Sequence, residues 1–136
     1  MILQREEALI NTFVVARKRE RYLGFLRSPR RRQDFLRTLY HFSDFDPACI
    51  VPLADGKDSA DALVSELRRR GAAGECYVIS ADRDFDGLIG LLESVIVQVH
   101  AAIEGSIVCC LPRRLAYYEG ESPRNRFILH RQVSRR

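Results

Sequence analysis

Apolar residues recur along this chain at two periods, and the change of period divides it. Leu9, Ile10, Phe13 and Val14 fall at helical i, i+3, i+4 spacing, and Tyr22, Leu23, Phe25 and Leu26 resume an apolar stripe after the charged stretch Arg17 to Arg21. The segment "RSPRRRQDFLRTLYHF" predicts a further helix, with Ser28 as its N-cap, Pro29 at the first helical position and Phe35, Leu36, Leu39, Tyr40 and Phe42 on its apolar face. After "SDFDP" the pattern shortens. "CIVPL" predicts a strand that Pro52 pushes toward a sheet edge. "DSADALVSELRRRG" predicts a helix with Ala60, Leu63, Val64 and Leu67 inward, basic residues near its C-terminus and Gly71 as its stop. "CYVIS" reads as a buried strand, followed by an apolar helix from about Leu88 or Leu91 to Ile103 and by "SIVCCL" as a strand. "RRLAYYE", the turn "GESPRN" and "RFILHR" predict a terminal hairpin.

The elements therefore run helices first, then β-α-β-α-β-β-β. This order predicts an α+β fold in which a mixed sheet is packed on one side by helices. A chain of 136 residues is expected to form a single domain. Residues 1–43 are its basic helical segment, and residues 44–136 an α/β segment ending in the hairpin.

Charge sharpens this division. Residues 1–43 hold ten Lys/Arg against four Asp/Glu, residues 44–107 five against twelve, and residues 108–136 seven against two. Basic ends flank an acidic middle, a pattern that suits an anionic partner, self-association or intramolecular neutralisation. The composition is globular, no apolar run is long enough to span a bilayer, and the first residues do not read as a secretory signal. A cytoplasmic protein without membrane contact is the expectation. Cys49, Cys76, Cys109 and Cys110 lack C-x-x-C spacing and lie in or beside apolar runs, so buried free thiols are expected. His41, His100 and His130 share no metal-ligand spacing.

Two stretches point to chemistry. From Asp82 to Glu93 the chain matches D-x-D-x-D-G-x5-E throughout. It resembles the calcium loop of the EF-hand family over those twelve residues. The resemblance implies Ca²⁺ held by Asp82, Asp84, Asp86, the Leu88 carbonyl and Glu93, with Gly87 at the sharp turn. The other reading of the same acids is that they cap the following helix and favour its positive end. A second resemblance uses some of the same residues. "LADG", with Asp55 before Gly56, and "SADRDFDG", with Asp82 and Asp84, are similar to the acidic elements of the Toprim fold of primases, topoisomerases and small nucleases. That similarity implies Mg²⁺-dependent phosphoryl transfer by Asp55, Asp82 and Asp84.

The basic segment is the third lead. Arg17, Lys18, Arg19, Arg21, Arg27, Arg30, Arg31 and Arg32 lie within sixteen residues and would form an anion-binding surface if they shared a face. The expectation carried forward is a small binding or regulatory protein with no catalytic residue and no cofactor. Its Arg17, Lys18, Arg19, Arg21, Arg30, Arg31 and Arg32 would meet a nucleic acid or an acidic protein, and a homo-oligomer is compatible with the charge pattern. The alternatives are the Mg²⁺ enzyme and the Ca²⁺ loop.

Overall fold

The computed structural model describes residues 2–101, 105–120 and 125–132. The helical periodicity of the first third becomes α1 (Ile2–Phe13), α2 (Arg19–Arg27) and α3 (Arg32–Leu36), with short 3₁₀ turns at Ala16–Lys18, Leu39–His41 and Pro47–Cys49. The rest of the chain forms β1 (Ile50–Pro52), α4 (Ala60–Arg69), β2 (Glu75–Ser80), β3 (Ile89–Leu91), α5 (Leu92–Ala101), β4 (Ser106–Leu111), β5 (Leu115–Glu119) and β6 (Arg126–His130). The fold is α+β, as the periodicity predicts. The expected helix end at Ile103 and most of the turn "GESPRN" lie outside the described residues.

All six strands join one sheet in the order β1-β6-β5-β4-β2-β3, and every neighbouring pair is antiparallel. The expected mixed sheet is thus corrected, and the reason is β3. This short strand pairs back onto β2 before α5 begins, with Tyr77 opposite Ile89 and Glu75 opposite Leu91. The added reversal sends β4 antiparallel to β2, where a plain β-α-β crossover would have made the two parallel. Pro52 does lie on an edge strand, because β1 pairs only with β6.

Helices pack on both faces of the sheet, not on one. Tyr77, Ile79, Ile107, Cys109, Tyr118 and Leu129 face α1, α2 and α3. Their neighbours Cys76, Val78, Val108, Cys110, Tyr117 and Ile128 face α4 and α5. Side chains alternate between faces along a strand, so burial on both faces removes the polar half of the usual alternation. That is why "CYVI" and "IVCC" read as unbroken apolar runs. All four cysteines are free and buried, as expected, and burial pushes the Cys109 thiol up to about 12.

Local signals met mixed outcomes. The Ser59 hydroxyl accepts the Ala62 N–H and caps α4, and Gly71 ends it at φ 117°. Ser28 does not cap α3. It closes α2 with extended backbone, its N–H bonding to Phe25, and the proline after it acts as a stop for the preceding helix. α3 then starts three residues later than expected, without a side-chain cap. Tyr40, placed on the apolar face by spacing, is exposed, because the chain tightens into the 3₁₀ turn at Leu39–His41. The Tyr118 hydroxyl ties this turn to the sheet, donating to the Leu39 carbonyl and accepting the Phe42 N–H at 3.1 Å. No helix among the described residues is long and apolar enough to cross a membrane.

Two glycines test this packing in opposite directions. A side-chain carbon at Gly105 would run into the backbone of Leu39 and Tyr40, whereas one at Gly24, on the open side of α2, meets nothing. In urea unfolding, Gly105→Ala is expected to cost about 2 kcal/mol or more, and Gly24→Ala to gain about 0.5–1 kcal/mol.

Candidate functional site

The acidic stretch forms the loop between β2 and β3. Its turn is built internally: Asp82 accepts the Asp84 N–H on its carboxylate at 2.9 Å, and the Asp82 carbonyl accepts those of Phe85 and Asp86. Gly87, at φ 84°, turns the chain back so that its N–H reaches the Val78 carbonyl and the Leu88 carbonyl receives the Val78 N–H. Asp86 points inward, where it accepts the Ser80 N–H at 3.1 Å and faces Arg32. Glu93 lies beyond β3, near the start of α5, and pairs with Arg68. The five candidate calcium ligands are therefore not arranged around one point. Asp82 serves the turn, Asp84 is exposed, Asp86 serves an ion pair, Leu88 the sheet and Glu93 a different helix. Among the described residues, no three His, Cys, Asp or Glu converge for a metal. The capping alternative is corrected as well, since β3 separates these aspartates from the helix they were expected to cap.

Asp55 follows β1, at the opposite edge of the sheet from Asp82 and Asp84. Three strands, β6, β5 and β4, stand between β1 and β2, a separation of about 19 Å at ordinary strand spacing. The Toprim-like trio is not brought together.

The inward turn of Asp86 belongs to an interaction that motif reading missed. Arg32, at the start of α3, donates Nη1 to Glu6 Oε1 at 2.7 Å and Nη2 to Glu6 Oε2 at 2.9 Å. It also meets Asp86 with Nη2 at 3.0 Å and Nε at 3.3 Å. Tyr77 donates its hydroxyl to Glu6 from the sheet. Glu6 is 1% exposed. Burial works against the Arg32 charge, yet its hydrogen bonds to Glu6 and Asp86 hold its pKa above the ordinary value. The sequence carried a signal: Glu6 precedes Leu9 and Ile10 by three and four residues, which puts a carboxylate on the buried face of α1 and demands a partner.

Arg32 is thus structural, and the remaining basic candidates divide. Arg19 donates to the Val14 carbonyl and Arg31 pairs with Asp34. Outside the candidate set, Arg27 pairs with Glu7. Arg17, Lys18, Arg21 and Arg30 have no acid within ion-pairing distance among the described residues. The guanidinium carbons of Arg21 and Arg31 lie 5.7 and 4.6 Å from the Phe25 ring centroid, which gathers residues of α2 and the following turn onto one surface.

On the other face, a cavity of about 670 Å³ opens between β1 and α4, with a smaller one of about 410 Å³ beside it. Val51 and Arg70 line both. Nearby, where β5 ends, Glu119 is 1% exposed. Its Oε1 accepts the Tyr117 hydroxyl at 2.8 Å and lies 3.4 Å from Arg126 Nε. Its Oε2 has no hydrogen-bond partner among the described residues. Arg126 Nη1 lies 3.4 Å from His100 Nε2, which itself meets the Asp58 carbonyl. Burial pushes the Glu119 pKa up, and Tyr117 and Arg126 reverse this only in part.

These two buried carboxylates give contrasting expectations. Arg32→Met leaves Glu6 buried without its cation and is expected to cost about 3 kcal/mol; adding Glu6→Gln should restore part of the loss in a double-mutant cycle. Glu119, with a folded pKa above its unfolded value, favours folding when protonated. That contribution is lost as pH rises through the folded pKa. Glu119→Gln is therefore expected to melt higher than the native chain at neutral pH. The difference should close as pH falls to about 4, where the unfolded carboxyl also protonates.

Compared with known protein families, with curated proteins and with solved structures, the chain shows no match.

Proposed function

We propose that this chain is a small non-enzymatic binding protein whose basic helical surface, on α2 and the turns on either side of it, engages the phosphates of a nucleic acid. The observation that carries this reading is the distribution of ion pairs. Arg32, Arg27 and Arg31 have carboxylate partners, whereas Arg17, Lys18, Arg21 and Arg30 have none among the described residues. Cations left without counter-charges gain most from a phosphate backbone, since binding releases the counterions condensed on it. Arginine suits this role because its planar fork reaches phosphate oxygens in pairs and stacks on rings. The Phe25 ring already holds two such planes on this surface. Of the two tyrosines that could stack on bases, Tyr22 is buried against Phe35 and Phe42, and Tyr40, though exposed, is packed edge-on against His41 in the turn after α3. The reading is therefore electrostatic and indifferent to base sequence.

The test is fluorescence anisotropy with a labelled single strand and a labelled duplex across a salt series. Four phosphate contacts are expected to give a log–log salt slope of about −3. Exchanging Arg17 and Arg21 together for Glu should abolish binding while leaving the melting temperature within a few degrees. Absence of binding at low ionic strength, or retention by the exchanged variant, overturns the proposal.

A further inference from the structure

The groove between β1 and α4 lies on the opposite face of the sheet from the arginine surface, so its role is argued independently. α4 runs back along β1. Its C-terminal Arg70 donates to His130 Nδ1 at 2.8 Å, and His130 ends the strand that pairs with β1. The floor is apolar, made by the half-buried Val51 and Leu53 with the buried Ile128 beside Val51, and α4 supplies a wall from Asp61 to Arg69 that is about 12 Å long at helical rise. A volume of about 670 Å³ lies within the range of sites that enclose a small organic ligand.

Charge selects the class of that ligand. The ionised residues lining the groove are Lys57, Arg69 and Arg70 against Asp61 and Glu66, one positive charge in excess. Glu66 is already committed: it accepts from Arg70 Nε at 2.7 Å and from Arg69, and these bonds fix both guanidinium groups at one end of the groove. The field there is positive enough to act on a neighbour. Burial, followed by Arg70, Arg114 and Arg69, holds the His130 imidazole below its usual pKa. A single excess positive charge above an apolar floor matches a monoanion with a hydrocarbon body better than a dianion or a polar metabolite. An added β-strand is excluded as the occupant by β1 itself, which is three residues long and includes a proline with no N–H to offer.

We propose that the groove between β1 and α4 binds an amphiphilic carboxylate, with its head on Arg69 and Arg70 and its hydrocarbon body along Val51 and Leu53. The head would take guanidinium donors that Glu66 does not occupy, and the body would displace water from the floor.

Decanoate serves as the probe, with decanol, acetate and inorganic phosphate as controls. Calorimetry on the native chain is expected to show saturable uptake of decanoate at one site, with decanol and acetate each at least about tenfold weaker. The His130 ring resonances should titrate at higher pH when decanoate is bound, because an anion beside Arg70 favours the imidazolium. Arg70→Gln should weaken decanoate by about tenfold. Ser65→Trp, an exposed change on the α4 wall, fills the groove without touching the core and should abolish uptake while the melting temperature holds. Four results overturn the proposal. They are no saturable uptake of decanoate, decanol binding as tightly as decanoate, undiminished binding to Ser65→Trp, or inorganic phosphate shifting the His130 titration as far as decanoate does.

Discussion

Arg32 sits where three parts of the chain must agree. Glu6 comes from α1, Asp86 from the loop between β2 and β3, and the guanidinium from the start of α3. A carboxylate at 1% exposure is tolerable only with a cation and further donors, since the desolvation of a lone buried charge costs several kcal/mol. Arg32 and the Tyr77 hydroxyl meet that demand together. The consequence extends in two directions. The helical layer is fixed in register on the sheet, because Glu6 cannot slide along Tyr77 without losing both partners. The acidic loop loses its third aspartate to this contact, so what reads as a calcium motif is folded around an arginine fifty-four residues away.

The legibility of the fold follows the range of the interactions involved. Helix α4 was plain in the sequence because its signals are local: apolar residues at 60, 63, 64 and 67, arginines near its C-terminus and Gly71 at the end. The edge position of β1 was legible for the same reason, since Pro52 cannot donate to a second neighbour. β3 was not. Its three residues are Ile89, Gly90 and Leu91, and both hydrophobic side chains are exposed, so the segment merges with the helix after it when only apolar runs are read. One missed strand was enough to reverse the sense of the pairing between β2 and β4. The arrangement of the candidate metal residues was illegible on the same ground. Whether Asp82, Asp86 and Glu93 share an ion depends on what occupies the intervening turns, and Arg68 and Arg32 are remote in sequence from the motif that they dismantle.

The charge pattern shows the same division between local and remote. The acidic middle does neutralise the basic ends in part, through Arg32 with Asp86 and Arg131 with Asp46. Other pairs stay within their own segment, such as Arg27 with Glu7 and Arg126 with Glu119. Segment totals therefore overstate how much charge remains for a partner. The cations of residues 1–43 left without a carboxylate partner among the described residues include Arg17 and Lys18 in the turn before α2, Arg21 on α2 and Arg30 after it.

The groove beside β1 follows from how many helices each face received. Six strands at ordinary spacing make a sheet about 24 Å wide between its edge strands, and a packed helix covers about 10 Å of that width. The first face has three helices and the turns between them, with an aromatic cluster from Phe35 through Phe42 and Phe45 to Phe127 closing over it. The second face has only two. α5 lies over β3, β2 and β4, and α4 packs beside α5, which accounts for about 20 Å. The shortfall of about 4 Å, one strand's width, falls at the β1 edge, where Val51 and Leu53 are only half-buried, whereas Ile128 on β6 is covered. An apolar floor left open to water costs free energy in proportion to its area. The arginines at the end of α4, fixed by Glu66, border this opening. The same shortage of helical cover that leaves Val51 and Leu53 half-exposed sets them beside the cationic end of α4, so the chemistry of the groove is a consequence of the fold's asymmetry.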